Sequence, residues 1–85
     1  MTLREAKEIF EEIVDLCNQI DDTILSEAVE SIYRDSESAE SVYDIIQLVS
    51  DLMFYVDEVA WDDEDIQDIK SEIQNLYNKL QDEVE

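Results

Sequence analysis

The stretch "VYDIIQLVSDLMFYVDEV", residues 42–59, decides the fold class of this chain. Its apolar residues recur alternately three and four positions apart, as on one face of an α-helix, at Val42, Ile45, Val49, Leu52, Val56 and Val59. A strand would instead alternate apolar and polar residues every second position. The pattern therefore predicts a long helix over about residues 38–61.

The same spacing continues on both sides of this stretch. Towards the N-terminus it predicts a helix over about residues 3–20, with Thr2 and Glu5 in capping-box positions and an apolar stripe of Ala6, Ile9, Ile13, Leu16 and Ile20. Towards the C-terminus it predicts a helix over about residues 63–84, with a stripe of Ile66, Ile69, Ile73, Leu76 and Leu80. A shorter helix over about residues 23–34 fits after the polar run Asp21-Asp22-Thr23.

The connections between these helices are short and contain neither Gly nor Pro, because the chain has none. Without those residues, the tight turns that join strands lack their usual building blocks. Short connections also favour antiparallel neighbours. The sequence predicts an all-α domain over residues 1–85, folded as a small antiparallel up-and-down bundle of three long helices and one short helix.

The charge of the chain is extreme, with 25 Asp and Glu against 5 Lys and Arg and a net charge of −20. At 45% hydrophobic residues the chain nevertheless has enough apolar content to fold. Anionic lipid and the phosphates of DNA or RNA would repel it, so neither a membrane nor direct nucleic-acid binding is expected. The apolar run 45–56 is too short to span a bilayer, and the charged N-terminus does not resemble a signal peptide, which favours the cytoplasm.

Some residue types on which many enzymes depend are missing from the sequence. There is no His to serve as a general base near neutral pH and no Gly to build a phosphate-binding loop. The single cysteine, Cys17, falls among Ile13, Leu16 and Ile20 and is expected to belong to the core rather than to act as a reactive thiol. The inventory predicts a protein that is not an enzyme and has no cofactor.

The acidic run "DDEDIQD", residues 62–68, is the strongest metal candidate in the sequence. A calcium loop of the EF-hand type that starts at Asp62 or Asp63 would need Gly at its sixth position and Glu at its twelfth, and neither register has them. Carboxylates at the start of a helix also serve as caps that the helix dipole favours. We therefore expect no metal site and interpret part of this run as an N-terminal cap.

Capping does not account for the rows of acids that helical spacing produces elsewhere. Three rows are predicted, with Glu5, Glu8, Glu12 and Asp15 on the first helix, Glu37, Glu40, Asp44 and Asp51 on the third, and Asp65, Asp68 and Glu72 on the fourth. Such rows repel themselves, and the few helical ion pairs available contribute only about 0.2–0.5 kcal/mol each. Folding alone would not select this pattern.

A comparison with DNA suggests another reason for the charge. A helix of about 23 residues is roughly 35 Å long, and a DNA duplex of that length carries about 20 negative charges. In size, charge and helix content the chain resembles the nucleic-acid-mimicking inhibitors made by phages and mobile elements, and the small acidic helical immunity proteins that block nuclease toxins. This resemblance includes no shared motif, so it assigns no residue a role.

The aromatic residues of the predicted third helix offer a possible anchor for a partner. Phe54 and Trp61 project from roughly the opposite side to the core stripe, with Leu48 and Tyr55 on one flank and Met53 on the other. Either the short second helix covers them, or they form an exposed patch ringed by carboxylates, as an interface anchor would. The predicted partner-binding residues are the members of the acidic rows other than Glu72, together with Phe54, Tyr55, Glu58, Trp61, Asp62, Asp63 and Glu64.

The leading hypothesis is a non-enzymatic inhibitor or antitoxin-like protein that blocks the basic DNA- or RNA-binding site of a partner. A nuclease, a restriction or CRISPR effector, or a DNA-binding factor would fit as that partner. The alternative is a helical assembly or adaptor module that forms a homodimer, in which the acidity serves solubility. A salt-adapted proteome would also make every surface acidic without any partner.

Overall fold

The computed structural model of the protein describes residues 2–59 and 64–84, with side chains up to residue 82. Its described residues form four α-helices and no strand, which confirms the all-α prediction for this part of the chain. The helices are α1 (Leu3–Asn18), α2 (Thr23–Ser36), α3 (Val42–Glu58) and α4 (Glu64–Val84).

The first three helices begin where a polar side chain caps them. Thr2 accepts a hydrogen bond from the Glu5 backbone N–H at 3.2 Å, and Asp22 accepts one from the Leu25 N–H at 2.9 Å. Ser41 does the same for the Asp44 N–H at 3.3 Å. Each cap satisfies a backbone donor that has no partner inside its helix.

The predicted start of the third helix was wrong. α3 begins at Val42 rather than near residue 38, because Ser41 is its cap and the Asp44 carboxylate accepts the Glu40 N–H at 3.0 Å. Residues 37–41 therefore form a connection between α2 and α3. The other bounds differ by no more than two residues from the prediction, except that the predicted end of the third helix, residue 61, lies outside the described residues.

The core is a single apolar cluster to which all four helices contribute. Its buried members are Ala6, Ile9, Phe10, Ile13, Val14, Cys17, Ile20, Leu25, Val29, Ile32, Ile45, Val49, Leu52, Met53, Val56, Val59, Ile73 and Leu80. α1 and α3 each contact the other three helices, whereas α2 and α4 do not contact each other among the described residues. The described molecule measures 36 × 23 × 16 Å along its principal axes.

α1 buries a wider face than its predicted stripe because it packs against three helices. Phe10 and Val14, which lie outside the stripe, are buried, and the Phe10 ring stacks on Tyr33 of α2 at a centroid distance of 6.1 Å. Leu16, which lies within the stripe, stays only half-buried. The helix therefore faces the core with a sector rotated slightly towards α2.

Candidate interaction surfaces

The carboxylates form the outer surface of the protein. Every described Asp and Glu side chain is exposed except that of Asp22, the half-buried cap of α2. A few exposed carboxylates pair with cations, such as Glu8 with Arg4 at 3.8 Å and Asp57 with Lys70 at 2.8 Å. Since the chain has five basic residues, most of its negative charge has no cation to balance it.

The acidic row predicted on the first helix lies on α1 as expected. Glu5, Glu8, Glu12 and Asp15 are all exposed, and their spacing of three and four residues places them on one face. Glu5 lies in the first turn, where the helix dipole favours an acid, and the remainder of the row gains no such benefit.

The row predicted on the third helix needs correction. Glu37 is the C-terminal cap of α2, and Glu40 lies in the connection before α3, so neither belongs to a row on that helix. Asp44 and Asp51 do lie on α3, and Glu58 follows them at the same spacing of seven residues. Asp44 also has a structural role, because its carboxylate accepts the Glu40 N–H.

The acids predicted after residue 61 are only partly within the described structure. Glu64, Asp65 and Asp68 are exposed on α4, and the first two lie in its first turn. Their position agrees with a capping contribution, since the N-terminal end of a helix attracts negative charge. The predicted contacts Trp61, Asp62 and Asp63 lie outside the described residues.

The outer face of α3 carries an uncharged strip between its acids. Tyr43, Gln47, Ser50 and Phe54 follow each other at spacings of four, three and four residues, so they share one face of the helix. We call these four residues the α3 strip. Its two aromatic ends are 69% and 66% exposed, for Tyr43 and Phe54 respectively, and lie about 16 Å apart at 1.5 Å per residue.

The α3 strip answers the question that the sequence left open about Phe54. α2 does not cover this side chain, whereas Met53, the next residue back, is buried in the core. The Phe54 ring makes an edge-to-face contact with the partly exposed ring of Tyr55 at 6.0 Å. Asp44, Asp51 and Glu58 line one edge of the strip. Asp57, which pairs with Lys70, lies at the other edge.

A second surface feature is an open groove of about 490 Å³ between α1 and α4, which we call the α1–α4 groove. Leu16 and Leu76 are half-buried against the core and form its apolar floor. Its remaining lining residues are polar or acidic and comprise Glu12, Asp15 and Gln19 of α1 with Glu72 and Asn75 of α4. The acidic rows of the two helices thus meet across one apolar groove.

Cys17 lies in the core, whereas the described carboxylates lie at the surface or, for Asp22, are half-buried. Burial raises the pKa of the Cys17 thiol to about 12, because the thiolate would lose its solvation in the core. The thiol is therefore protonated at neutral pH and does not contact solvent. Within residues 2–59 and 64–84, no group of three or more acidic or cysteine side chains is placed to hold a metal ion.

Comparisons with known proteins identify no relative. No protein-family model, no curated protein and no solved structure matches the chain. None of the helices in the described part of the chain combines the length and apolar content needed to cross a membrane.

Sequence reasoning missed two elements of these surfaces. Tyr43 precedes Phe54 by eleven residues, or three helical turns, so helical spacing could have placed it on the same face. The groove had no such signal, because Leu16 and Leu76 occupy regular core positions in the apolar pattern. Their partial exposure depends on how closely α1 and α4 approach each other.

Proposed function

We propose that the protein binds to the DNA- or RNA-binding site of a basic partner. It thereby prevents the partner from binding DNA or RNA. The observation that carries the proposal is charge per length. The described residues extend over 36 Å and carry 22 acids and 5 bases, a net charge of −17, while a duplex of 36 Å carries about 21 phosphate charges at one per ~1.7 Å. A cleft that attracts a duplex would attract this surface with comparable strength.

The location of the charges supports the proposal, because it opposes what folding alone favours. α1 and α3 have no basic residue in the last turn, and neither does α4, although cations there would stabilise the helix dipole. The charge also far exceeds the magnitude of about 2–8 that suffices for the solubility of a small domain. Selection for a basic partner accounts for both features.

The acidic rows and the α3 strip have separate functions in such a complex. The acidic rows attract the partner over distances of about a Debye length and orient it, which mainly affects association. The exposed rings of the α3 strip then contribute burial, which mainly slows dissociation. The class of partner is a nuclease, a restriction or CRISPR effector, or a DNA-binding factor.

The proposal includes a simple architecture and setting for the chain. We propose that residues 1–85 form one domain whose helices alternate in direction, as in an up-and-down bundle, and that the protein acts in the cytoplasm. Contacts between successive helices and between α1 and α4 support that arrangement, since each helix then packs beside its neighbours in the chain.

The alternative function is a homodimeric adaptor, and the α3 strip is the observation that favours it. Tyr43 and Phe54 expose apolar area that a second copy could bury. Two protomers of −20 each would have to overcome strong mutual repulsion, so a dimer should form only at high salt. Sedimentation velocity at low and high salt separates the two functions, because the inhibitor is monomeric under both conditions.

The deciding experiment uses competition on a purified partner. Immobilised protein would capture binding proteins at low salt, and each captured protein would then be purified and tested with a labelled DNA or RNA duplex. We expect the acidic protein to displace the duplex and to lose affinity steeply as salt increases. A partner that binds both at once, each at full affinity, would refute the proposed function.

A further inference from the structure

We infer that the α1–α4 groove receives a basic amphipathic helix of the partner, with Lys or Arg side chains laid across its leucine floor. The inference deepens the proposed function, on which it rests for the identity of the partner. It assigns a binding role to Leu16, Leu76 and Glu72, none of which the sequence marked as a contact.

The chemistry of the groove matches a long cationic side chain better than a simple ion. Lys and Arg have an apolar stem that packs on hydrocarbon and a charged head that seeks a carboxylate. The half-buried floor of Leu16 and Leu76 suits the stem, and the exposed carboxylates of Glu12, Asp15 and Glu72 suit the head. A bare metal ion would gain nothing from the leucines.

The lining of the groove favours a helix over a single side chain, because it spans about two turns of α1 and about one turn of α4. A third helix laid between two others presents side chains at positions i, i+3, i+4 and i+7 to the groove, which is a common mode of peptide recognition. Both walls are helices, so a helix of the partner can lie between them along these turns.

Charge complementarity identifies the helix as basic. Neither wall contributes a cation to the lining, and the rim carries acids from both helices. An acidic or neutral amphipathic helix would leave these carboxylates near apolar surface without compensation. A basic helix compensates them and covers the two leucines at the same time.

The test uses the whole protein and three synthetic peptides as probes. The first is an amphipathic helix with Leu and Arg on one face, the second has Gln in place of each Arg, and the third is an Arg-rich peptide without apolar residues. Methyl NMR spectra of the protein would report contact at Leu16 and Leu76. We expect the first peptide to shift both leucines and to bind at least tenfold more tightly than the other two.

Matched variants separate the groove from the general charge. Neutralising the rim with Glu12→Gln, Asp15→Asn and Glu72→Gln should weaken binding of the first peptide at least tenfold. The control neutralises three exposed acids elsewhere, with Glu11→Gln, Glu27→Gln and Asp35→Asn, and it changes net charge by the same amount. We expect the control to weaken binding less than threefold.

Two further results would overturn the inference. One is equal weakening by the rim variant and its control, and the other is peptide binding that shifts residues over the whole acidic surface but leaves both leucines unchanged. Either result would leave the proposed function intact, since charge mimicry needs no groove. Conversely, a partner that binds specifically in the groove and still binds DNA at full affinity would support the groove as a binding site. That result would refute the proposed function.

Discussion

The α3 strip and the α1–α4 groove expose apolar side chains in opposite ways. Tyr43 and Phe54 project from the outer face of one helix and are more than 60% exposed. Leu16 and Leu76 lie between two helices, half-buried against the core. A projecting ring needs a pocket in the partner, whereas a groove accepts a side chain from it. The α3 strip can therefore insert its rings into a partner, whereas the α1–α4 groove can receive a side chain from it.

Charge is also distributed differently around the two elements. The α3 strip is itself uncharged, with its acids along one edge, while acids from both walls line the groove. Removal of the rings should therefore act mainly on dissociation, and changes in the groove rim should act on association and salt dependence.

The largest effect is expected from charge reversal at the groove rim. With Glu12, Asp15 and Glu72 all changed to Lys, three favourable contacts become repulsive, and each close charge pair contributes at least about 1.5 kcal/mol. Affinity for the basic partner should fall about a thousandfold at low salt, as measured by calorimetry or surface plasmon resonance. An affinity reduced by less than tenfold would show that the groove does not face the partner.

Removal of the strip aromatics should have the next largest effect. Tyr43→Ala and Phe54→Ala should each raise the dissociation rate by about 30-fold, which corresponds to about 2 kcal/mol at an interface hot spot. The free energy of unfolding should change by less than about 0.5 kcal/mol, because both rings are exposed.

The matched control for Phe54 is the buried ring of Phe10. Phe10→Ala should lower the free energy of unfolding by about 3–5 kcal/mol, as for other buried Phe residues. A destabilisation of similar size in Phe54→Ala would show that this ring contributes to packing and does not act as an anchor. Chemical denaturation followed by circular dichroism provides both values.

The reactivity of Cys17 reports whether solvent reaches the core from the α1–α4 groove. Cys17 is buried in the core and directly follows Leu16, which lines the groove. Its pKa of about 12 in the folded protein lies above the ordinary value of 9.0 because of burial. Between these values the unfolded chain loses the thiol proton first, so stability decreases as pH rises above about 9, by at most about 1.4 kcal/mol per pH unit. Below pH 9 the thiol is protonated in both states and contributes no pH dependence.

The measurement compares the wild-type protein with Cys17→Ala between pH 8 and 11. The variant should have a lower free energy of unfolding, because loss of the sulfur atom leaves a cavity. It should also lack the decrease in this free energy with rising pH that the thiol causes. Alkylation of the native protein at pH 8 should also be slow, because the thiol is buried. Rapid alkylation without unfolding would mean that the core beside the groove is open to solvent.

The smallest effect is expected from salt acting on stability. Since acids outnumber bases by 25 to 5, added salt should screen their repulsion and raise the free energy of unfolding by about 0.5 kcal/mol between 50 and 500 mM NaCl. The rim-neutral variant, with Glu12→Gln, Asp15→Asn and Glu72→Gln, should gain less. An unchanged midpoint of thermal unfolding across this range would contradict the assumed repulsion.

Local sequence features predicted most of the helical elements and their caps. Thr2, Asp22 and the regular apolar stripes place α1, α2 and α4 within two residues of the expected bounds. The start of α3 was missed because three serines, at positions 36, 38 and 41, offer alternative caps, and only the Asp44 carboxylate bound to the Glu40 N–H distinguishes Ser41. That error moved Glu37 and Glu40 out of their predicted row.

The candidate surfaces were predicted less completely. The α1 row and Phe54 lie where the pattern placed them, because helical periodicity decides which side chains share a face. Periodicity does not decide whether a neighbouring helix covers that face. Thus Met53 was expected on a flank and is buried, while Leu16 and Leu76 were expected in the core and line a groove.

The helical class, the caps of α1 and α2 and the charge of −20 could be read from the sequence, because they follow from backbone preferences and composition within a few residues of each site. The packing of the helices, by contrast, brings two acidic rows together across a pair of leucines and leaves Tyr43 and Phe54 uncovered. Exposure depends on the distances between helices that are remote in the chain. Those distances arise from the packing of all four helices around one core, which no local pattern encodes.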